Sequence, residues 1–383
     1  MPATQSTTSP NAVPTSPPRQ VSLRGAFWYW LKLGFISFGG PAGQIGMMHQ
    51  ELVERRRWIS EHRFLHALNY CMVLPGPEAQ QLATYIGWLM HGVRGGLIAG
   101  VLFVLPSLLI LIALTYVYLA YGHVTLVAGL LYGMKPAVTA IVVFAAYRIG
   151  SRALKNGVLW ALAAGAFVAI FAFDVHFPYI VLAAAVLGII GGRLSPAHFQ
   201  TGGGHAASAK AIGPALIDDH TPPPAYARFT WPRLLRLVVV GVAIWAIARG
   251  ILAYRFGIEH TLTQMGWFFS EAALLTFGGA YAVLPYVYQG AVEQYAWLTG
   301  TQMIDGLALG ETTPGPLIMV VAFVGFVGAW TQSVLGPDSL LWAGVVGASV
   351  ATFFTFLPSF LFIFIGAPAV EATDGSVMDE RTE

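Results

Sequence analysis

The chain has 383 residues, 56% of them hydrophobic and 10% charged, with a formal net charge of +2. Soluble domains carry about 25% charged residues, so this composition, with a mean hydropathy of +0.66, excludes an ordinary soluble globule and indicates a membrane protein. The near-zero charge gives no reason to expect a nucleic-acid partner, and the single cysteine, Cys71, excludes a disulfide framework and a cysteine metal site.

Residues 1–24 open with a Ser/Thr/Pro-rich stretch lacking an apolar core, which predicts a disordered tail and not a signal peptide. Apolar stretches follow at 25–53, 64–91, 95–121, 125–148, 157–173 and 177–192, a first membrane unit spanning 25–192. Residues 193–232, rich in Gly, Pro and Ala, read as a flexible cytoplasmic linker. A second membrane unit spans 233–368, with stretches at 233–255, 265–291, 301–331 and 339–366, and 369–383 read as a polar, cytoplasmic tail.

The two units repeat each other. A shift of 239 superposes Phe38, Gly39 and Gly40 on Phe277, Gly278 and Gly279, Trp58 on Trp297, and Pro75, Gly76 and Pro77 on Pro314, Gly315 and Pro316. "LPS" at 105–107 returns at 357–359. Paired breaks in apolar segments of two halves are the mark of a secondary transporter built from repeats.

Each break leaves flanks of about 13 residues, about 20 Å of helix, too short to cross a hydrocarbon core of about 30 Å. Each broken segment is therefore a kinked span or a re-entrant hairpin. Arg55, Arg56, Arg57 and Arg63 lie between the first two breaks, and hairpins bring them to the same side as the other basic clusters, which favours hairpins. No Lys or Arg occurs from 256 to 380, and the counterpart of "ERRRW" is "EQYAW". Five spans separate the repeats, an odd number, so the second is expected to be inverted. The expected fold is thus an all-α polytopic membrane protein of two inverted-topology repeats, each with two broken or re-entrant segments plus transmembrane helices.

Unwound backbone at membrane depth needs protein or water around it, so the breaks are expected to meet near the midplane. Half-helix N-termini there present free N–H groups suited to an anion. The candidate binding residues are Phe38, Gly39, Gly40, Pro75, Gly76, Pro77, Glu78, Gly278, Gly279, Thr312, Thr313, Pro314, Gly315 and Pro316, with Lys32 and Lys135 as intramembrane cations. Glu78 and Glu311 are candidates for carrying a proton; helix capping explains Glu78, Glu311, Thr312 and Thr313 equally well, and snorkelling explains the lysines. Asn69, Gln80, Gln81, Glu271 and Asp305 read as structural. No His spacing suits a metal, and no nucleophile–base pair stands near the breaks, so neither catalytic residue, metal nor cofactor is expected.

"SFGGPAGQIGMMHQELVERRRWISEHRF", "NYCMVLPGPEAQQLATYIGWLMHG", "LFVLPSLLI", "TFGGAYAVLPYVYQGAV" and "GLALGETTPGPLIMVVAFVGFVGAW" closely resemble the bacterial chromate ion transporter family over about 25–366. The resemblance implies an inner-membrane carrier that exports chromate, driven by the proton motive force, and confers chromate resistance. Sulfate, of the same shape and charge, is the natural competitor. The resemblance departs in one respect: the first half continues past "LPS" with a Lys-Pro segment at 135–136, whereas the second ends in "EATDGSVMDERTE". That leaves an apolar face for lipid or for a second copy in a homodimer. The alternatives are a sulfate or other oxyanion permease and a shortened chain that no longer transports.

Overall fold

The computed structural model describes residues 18–379 apart from 174, 196–212, 220 and 223. Most of the expected N-terminal tail therefore lies outside the described residues. Among those described, the only extended pairing is an isolated bridge between Ile59 and Ile217, and everything else regular is helical. The protein is an all-α polytopic membrane protein.

Helix α1 (Leu23–Ile36) starts where the Ser22 side chain accepts from the Gly25 amide, and it ends before the first break. Helix α2 (Gly40–His49) follows and loosens into a π-helical turn at Gln50–Arg55. Helix α3 (Glu61–Val73), capped by Ser60, leads into the Pro-Gly-Pro corner. Helix α4 (Glu78–Tyr121) leaves it, but non-helical backbone at His91 and Gly92 divides α4 into two limbs. A Cβ on Gly87 would lie 2.6 Å from the Gly95 carbonyl and the Ala99 methyl, so the limbs fold back on each other through small residues. Gly96 and Gly100 press on Thr84 of the first limb and on Phe364 and Phe360 respectively, a close packing that their lack of a side chain permits.

Helices α5 (Thr125–Ala153), α6 (Gly157–Phe173), α7 (Phe177–Leu194) and α8 (Trp231–Phe256) connect the halves. The second half then repeats the first: α9 (Thr261–Leu274), α10 (Ala280–Tyr288) with a π turn at Gln289–Gln294, α11 (Gly300–Thr312), a 3₁₀ turn at Leu317–Met319 opening α12 (Val320–Thr331), and α13 (Leu340–Asp379). Even local irregularities recur. Both π turns are followed by a left-handed residue, Arg57 at φ 52° and Ala296 at φ 48°.

The chain turns back at the first break of each half. From Tyr29 to Trp58 a continuous run through the break would separate the two by tens of ångströms. Their rings are 5.1 Å apart, and the counterparts Phe268 and Trp297 are 5.4 Å apart. The two halves have separate apolar cores, with Phe360 packed against both and the second limb of α4 contributing Phe103 to one core and Leu111 to the other.

Among the described residues, five segments are long and apolar enough to cross a membrane: 78–121, 125–151, 177–194, 231–256 and 337–372. The first comprises the two folded-back limbs of α4. Helices α5 to α7 bury little of themselves within the protein, as expected of helices facing lipid.

Two boundary segments have tertiary partners where they are described. The linker is not loose where it is described: Ser60 donates to Asp219, Arg57 to the Pro214 carbonyl at 3.3 Å, and Arg63 to the Thr221 carbonyl at 2.5 Å, so 214–221 is bound to the loop before α3. Residues 369–379, in the segment read as a polar tail, continue helix α13, and Glu371 at their start joins a buried cluster with Arg63 and Tyr85.

Candidate functional site

Proline and glycine end helices, and the freed backbone must find partners wherever water is excluded. Here each half satisfies the other. The Gly76 amide, in the Pro-Gly-Pro corner of the first half, donates to the Thr276 carbonyl beside the Phe-Gly-Gly break of the second at 2.7 Å. The Gly315 amide donates in the same way to the Ser37 carbonyl at 2.8 Å. Gly76 pairs with Gly315 and Ser37 with Thr276 under the 239-residue shift, so the two crossovers are counterparts. The four breaks therefore meet in two pairs, each joining one half to the other, and these two crossovers form the junction between the halves.

Positive φ explains the glycines at the corners: Gly76 has φ 126° and Gly315 φ 109°. Space explains them again. A Cβ on Gly76 would stand 2.5 Å from Ser359 Oγ, and one on Gly315 2.7 Å from Ser107 Cβ. The two "LPS" serines thus each close one corner.

Amide side chains brace the corners. Gln44 donates to the Gly315 carbonyl at 2.6 Å and to the Ser37 carbonyl at 3.2 Å, and Gln81 donates to the Pro75 carbonyl at 2.8 Å. Gln80 donates to Thr84 at 3.0 Å. All are buried, yet Gln44 Oε1, Gln80 Oε1, Gln81 Oε1, Ser107 Oγ and Ser359 Oγ have no hydrogen-bond partner. Each such group costs about 1–3 kcal/mol. Ser107→Ala and Ser359→Ala are accordingly expected to leave thermal stability in detergent unchanged or slightly raised while transport falls. A stability loss equal to the transport loss would make the serines plain packing residues.

The Phe-Gly-Gly breaks differ from the corners. Helices α2 and α10 begin there without a side-chain cap, and a Cβ on Gly40, Gly278 or Gly279 would meet nothing within 4 Å. Phe38 and Phe277 are about half exposed beside them. These two helix N-termini keep unspent N–H groups facing open space, which suits an anion. The corner amides do not, because the crossovers use them, which leaves the Phe-Gly-Gly sites as the breaks with open space beside their helix starts.

The remaining candidates scatter. Pro75, Pro77, Pro314 and Pro316 shape the corners. Glu78 opens α4 directly behind its corner, where a carboxylate suits the helix dipole. Thr312 and Thr313 donate their hydroxyls to carbonyls of their own helix, at 3.0 Å to Leu309 and 2.9 Å to Gly310, and so are occupied. Glu311 accepts from Tyr281 of α10, which ties the corner helix of the second half to its Phe-Gly-Gly helix. Lys32 is exposed on α1; its counterpart is Glu271, which accepts from Tyr286 at 2.9 Å. Lys135 stands apart from the junction, paired with Asp305 at 3.1 Å. On the aqueous rim, a hydrogen bond from Arg56, helped by Arg55, holds the Glu51 carboxyl below its usual range. No cluster of three metal-ligating side chains occurs among the described residues.

Sequence reasoning missed Gln44, Ser107, Ser359, Ser37 and Thr276. The repeated "LPS" and the Ser or Thr before each "FGG" were the available signals.

Helical breaks held together at the centre of a duplicated polytopic bundle define a membrane protein of the transporter class. The chain belongs to the chromate transporter family, whose model matches residues 25–189 and 263–380. It is 31% identical over 363 residues to the chromate transport protein of Cupriavidus metallidurans, covering 94% of this chain and 78% of that one. It is 33% identical over 381 residues to the chromate transport protein of Pseudomonas aeruginosa, covering 97% and 77%. To the probable chromate transport protein of Synechococcus elongatus it is 31% identical over 349 residues, covering 91% and 76%. No solved structure matches significantly.

Proposed function

We propose that this protein is a secondary carrier that exports chromate across the inner membrane, energised by the proton motive force, and so confers chromate resistance. The observation that carries this reading is the pair of crossovers between opposite halves. The halves enter the membrane from opposite faces as re-entrant hairpins, and their tips meet at mid-depth. Contacts along the second limb of α4 support the inversion: near its start, His91 bonds the Val21 carbonyl at 2.8 Å, while near its end Tyr116 meets Trp330 at 6.0 Å. The docking of 214–221 on the Arg55–Arg57 loop supports a shared side for the linker and those arginines, and their charge favours the cytoplasmic one.

The dianion sits between the uncapped starts of α2 and α10, with Phe38 and Phe277 beside it. Access alternates as one crossover opens while the other holds. The spare oxygens of Gln81 and Ser359, or of Gln44 and Ser107, then receive the released corner amide. A tetrahedral dianion such as sulfate satisfies the same donors, which makes a sulfate permease the second reading.

Everted vesicles carrying the full chain decide between them. Chromate uptake that collapses with an uncoupler and resists excess sulfate supports chromate export. Uptake insensitive to the uncoupler excludes proton-driven transport, and sulfate uptake at equal or higher rate favours the permease.

A further inference from the structure

Away from the junction, three helices bring Lys135, Asp305 and Tyr118 together at the edge of the second half's core. Lys135 on α5 places Nζ 3.1 Å from Asp305 Oδ1 on α11, and Tyr118, on the second limb of α4, donates to Asp305 Oδ2 at 3.0 Å. The Asp305 side chain is 8% exposed and that of Lys135 35%. Oδ1 accepts no well-directed hydrogen bond, so the cation is held by charge more than by geometry.

Three features make this more than a docking contact. An ion pair is a poor adhesive in an apolar setting, because two apolar side chains of similar size hold helices together as well or better. Pro136 follows Lys135 within α5 and removes the amide that would bond the Tyr132 carbonyl, which gives the helix a bending point at the cation. Asp305 lies on the helix that runs directly into the Pro314–Pro316 corner, so movement of that corner carries it relative to α5.

We propose that Lys135 is a second anion station on the transport path and that Asp305, oriented by Tyr118, is the positioning residue that reclaims it. This rests on the carrier reading above. When the second corner moves to pass the anion, α11 draws Asp305 from α5, and Lys135, left without a counter-charge, receives the dianion. When α11 returns, the carboxylate restores the neutral pair and expels the anion. A compact ammonium recognises charge rather than shape, so the station takes a small oxyanion without further selection.

The test uses the full chain in proteoliposomes, with chromate uptake measured against concentration. In Asp305→Asn the competitor for Lys135 is gone: KM and turnover are both expected to fall about tenfold, because the anion binds well and leaves slowly. Lys135→Met/Asp305→Leu is expected to insert and melt like the wild type but to lose at least about tenfold in turnover, since packing survives and the station does not. Lys135→Arg should keep most of the activity. Wild-type transport by the apolar double variant overturns the proposal and leaves the trio as a dock for α5. So does an Asp305→Asn variant whose turnover falls at unchanged KM. If Asp305→Asn fails to insert, the double variant decides alone. A wild-type chain that moves no chromate refutes the carrier reading itself, a result distinct from either of these.

Discussion

Gly76→Ala is expected to abolish transport and to lower the melting temperature of the detergent-solubilised protein. At φ 126° an alanine adds about 1–3 kcal/mol of backbone strain. Its methyl would also stand 2.5 Å from Ser359 Oγ, inside van der Waals contact, with Gln81 Nε2 2.7 Å away on the other side. The corner must shift, and the bond from Gly76 to the Thr276 carbonyl shifts with it. The corner is already closed, so the substitution acts by breaking a contact between the halves and not by plugging an opening. Gly315→Ala should behave alike, against Ser107. Gly188→Ala, on the exposed α7 where a Cβ meets nothing within 4 Å, should leave both quantities near wild type. Transport by Gly76→Ala at the wild-type rate would show that the crossover has no part in the cycle.

The largest stability effect is expected from Glu371→Ala. Glu371 is buried on α13; its Oε1 accepts from Tyr85 at 2.6 Å, and its Oε2 lies 3.4 Å from Arg63 Nη1. Arg63 is itself buried and holds the linker through the Thr221 carbonyl. Removing the carboxylate leaves a buried guanidinium without its counter-charge, a loss of about 3–5 kcal/mol. Glu371→Gln, which still accepts from Tyr85, should cost less. Replacing both charges, as Arg63→Met/Glu371→Leu, should recover most of the loss. A double-mutant cycle by thermal melting in detergent measures the coupling, and additive single losses would contradict a direct pair. The physical role follows from position: the end of the second half is anchored in the core of the first.

Much of this was legible in the sequence. Composition gave the membrane setting, and the helix boundaries followed the apolar stretches, including the four breaks. Hairpins were favoured because the arginines at 55–57 needed to join the other basic clusters on one side, and the Tyr29–Trp58 contact accords with a chain that turns back. The duplicated "LPS" and "FGG" marked positions that line the junction. What could not be read was which backbone groups pair across the halves. Gly76 and Thr276 are 200 residues apart in sequence, and a hydrogen bond between main-chain atoms leaves no trace in residue type. Gln44 and Gln81 brace opposite corners from positions that are not counterparts in the repeat, so no internal comparison reveals them. The contacts of the tail and linker were illegible for a related reason. Their composition is polar and Pro/Gly-rich, and only tertiary partners such as Arg63 with Glu371, or Ile59 with Ile217, hold them in place.

Tyr281 and Glu311 carry a similar lesson. A carboxylate before a Pro-Gly-Pro corner suggests either a cap or a proton carrier. Its bond to Tyr281 gives it a third use, joining the two broken segments of one half. Lys135 is likewise removed from the junction by Asp305 and becomes intelligible only as a member of a pair.

The proposed transport cycle requires two halves that enter the bilayer from opposite faces. Single cysteines at positions 56 and 295, each introduced with Cys71 changed to serine and labelled with a membrane-impermeant thiol reagent, read this directly. Position 295 is expected to label in intact cells and position 56 only in everted vesicles. Labelling of both from the same side would contradict that arrangement.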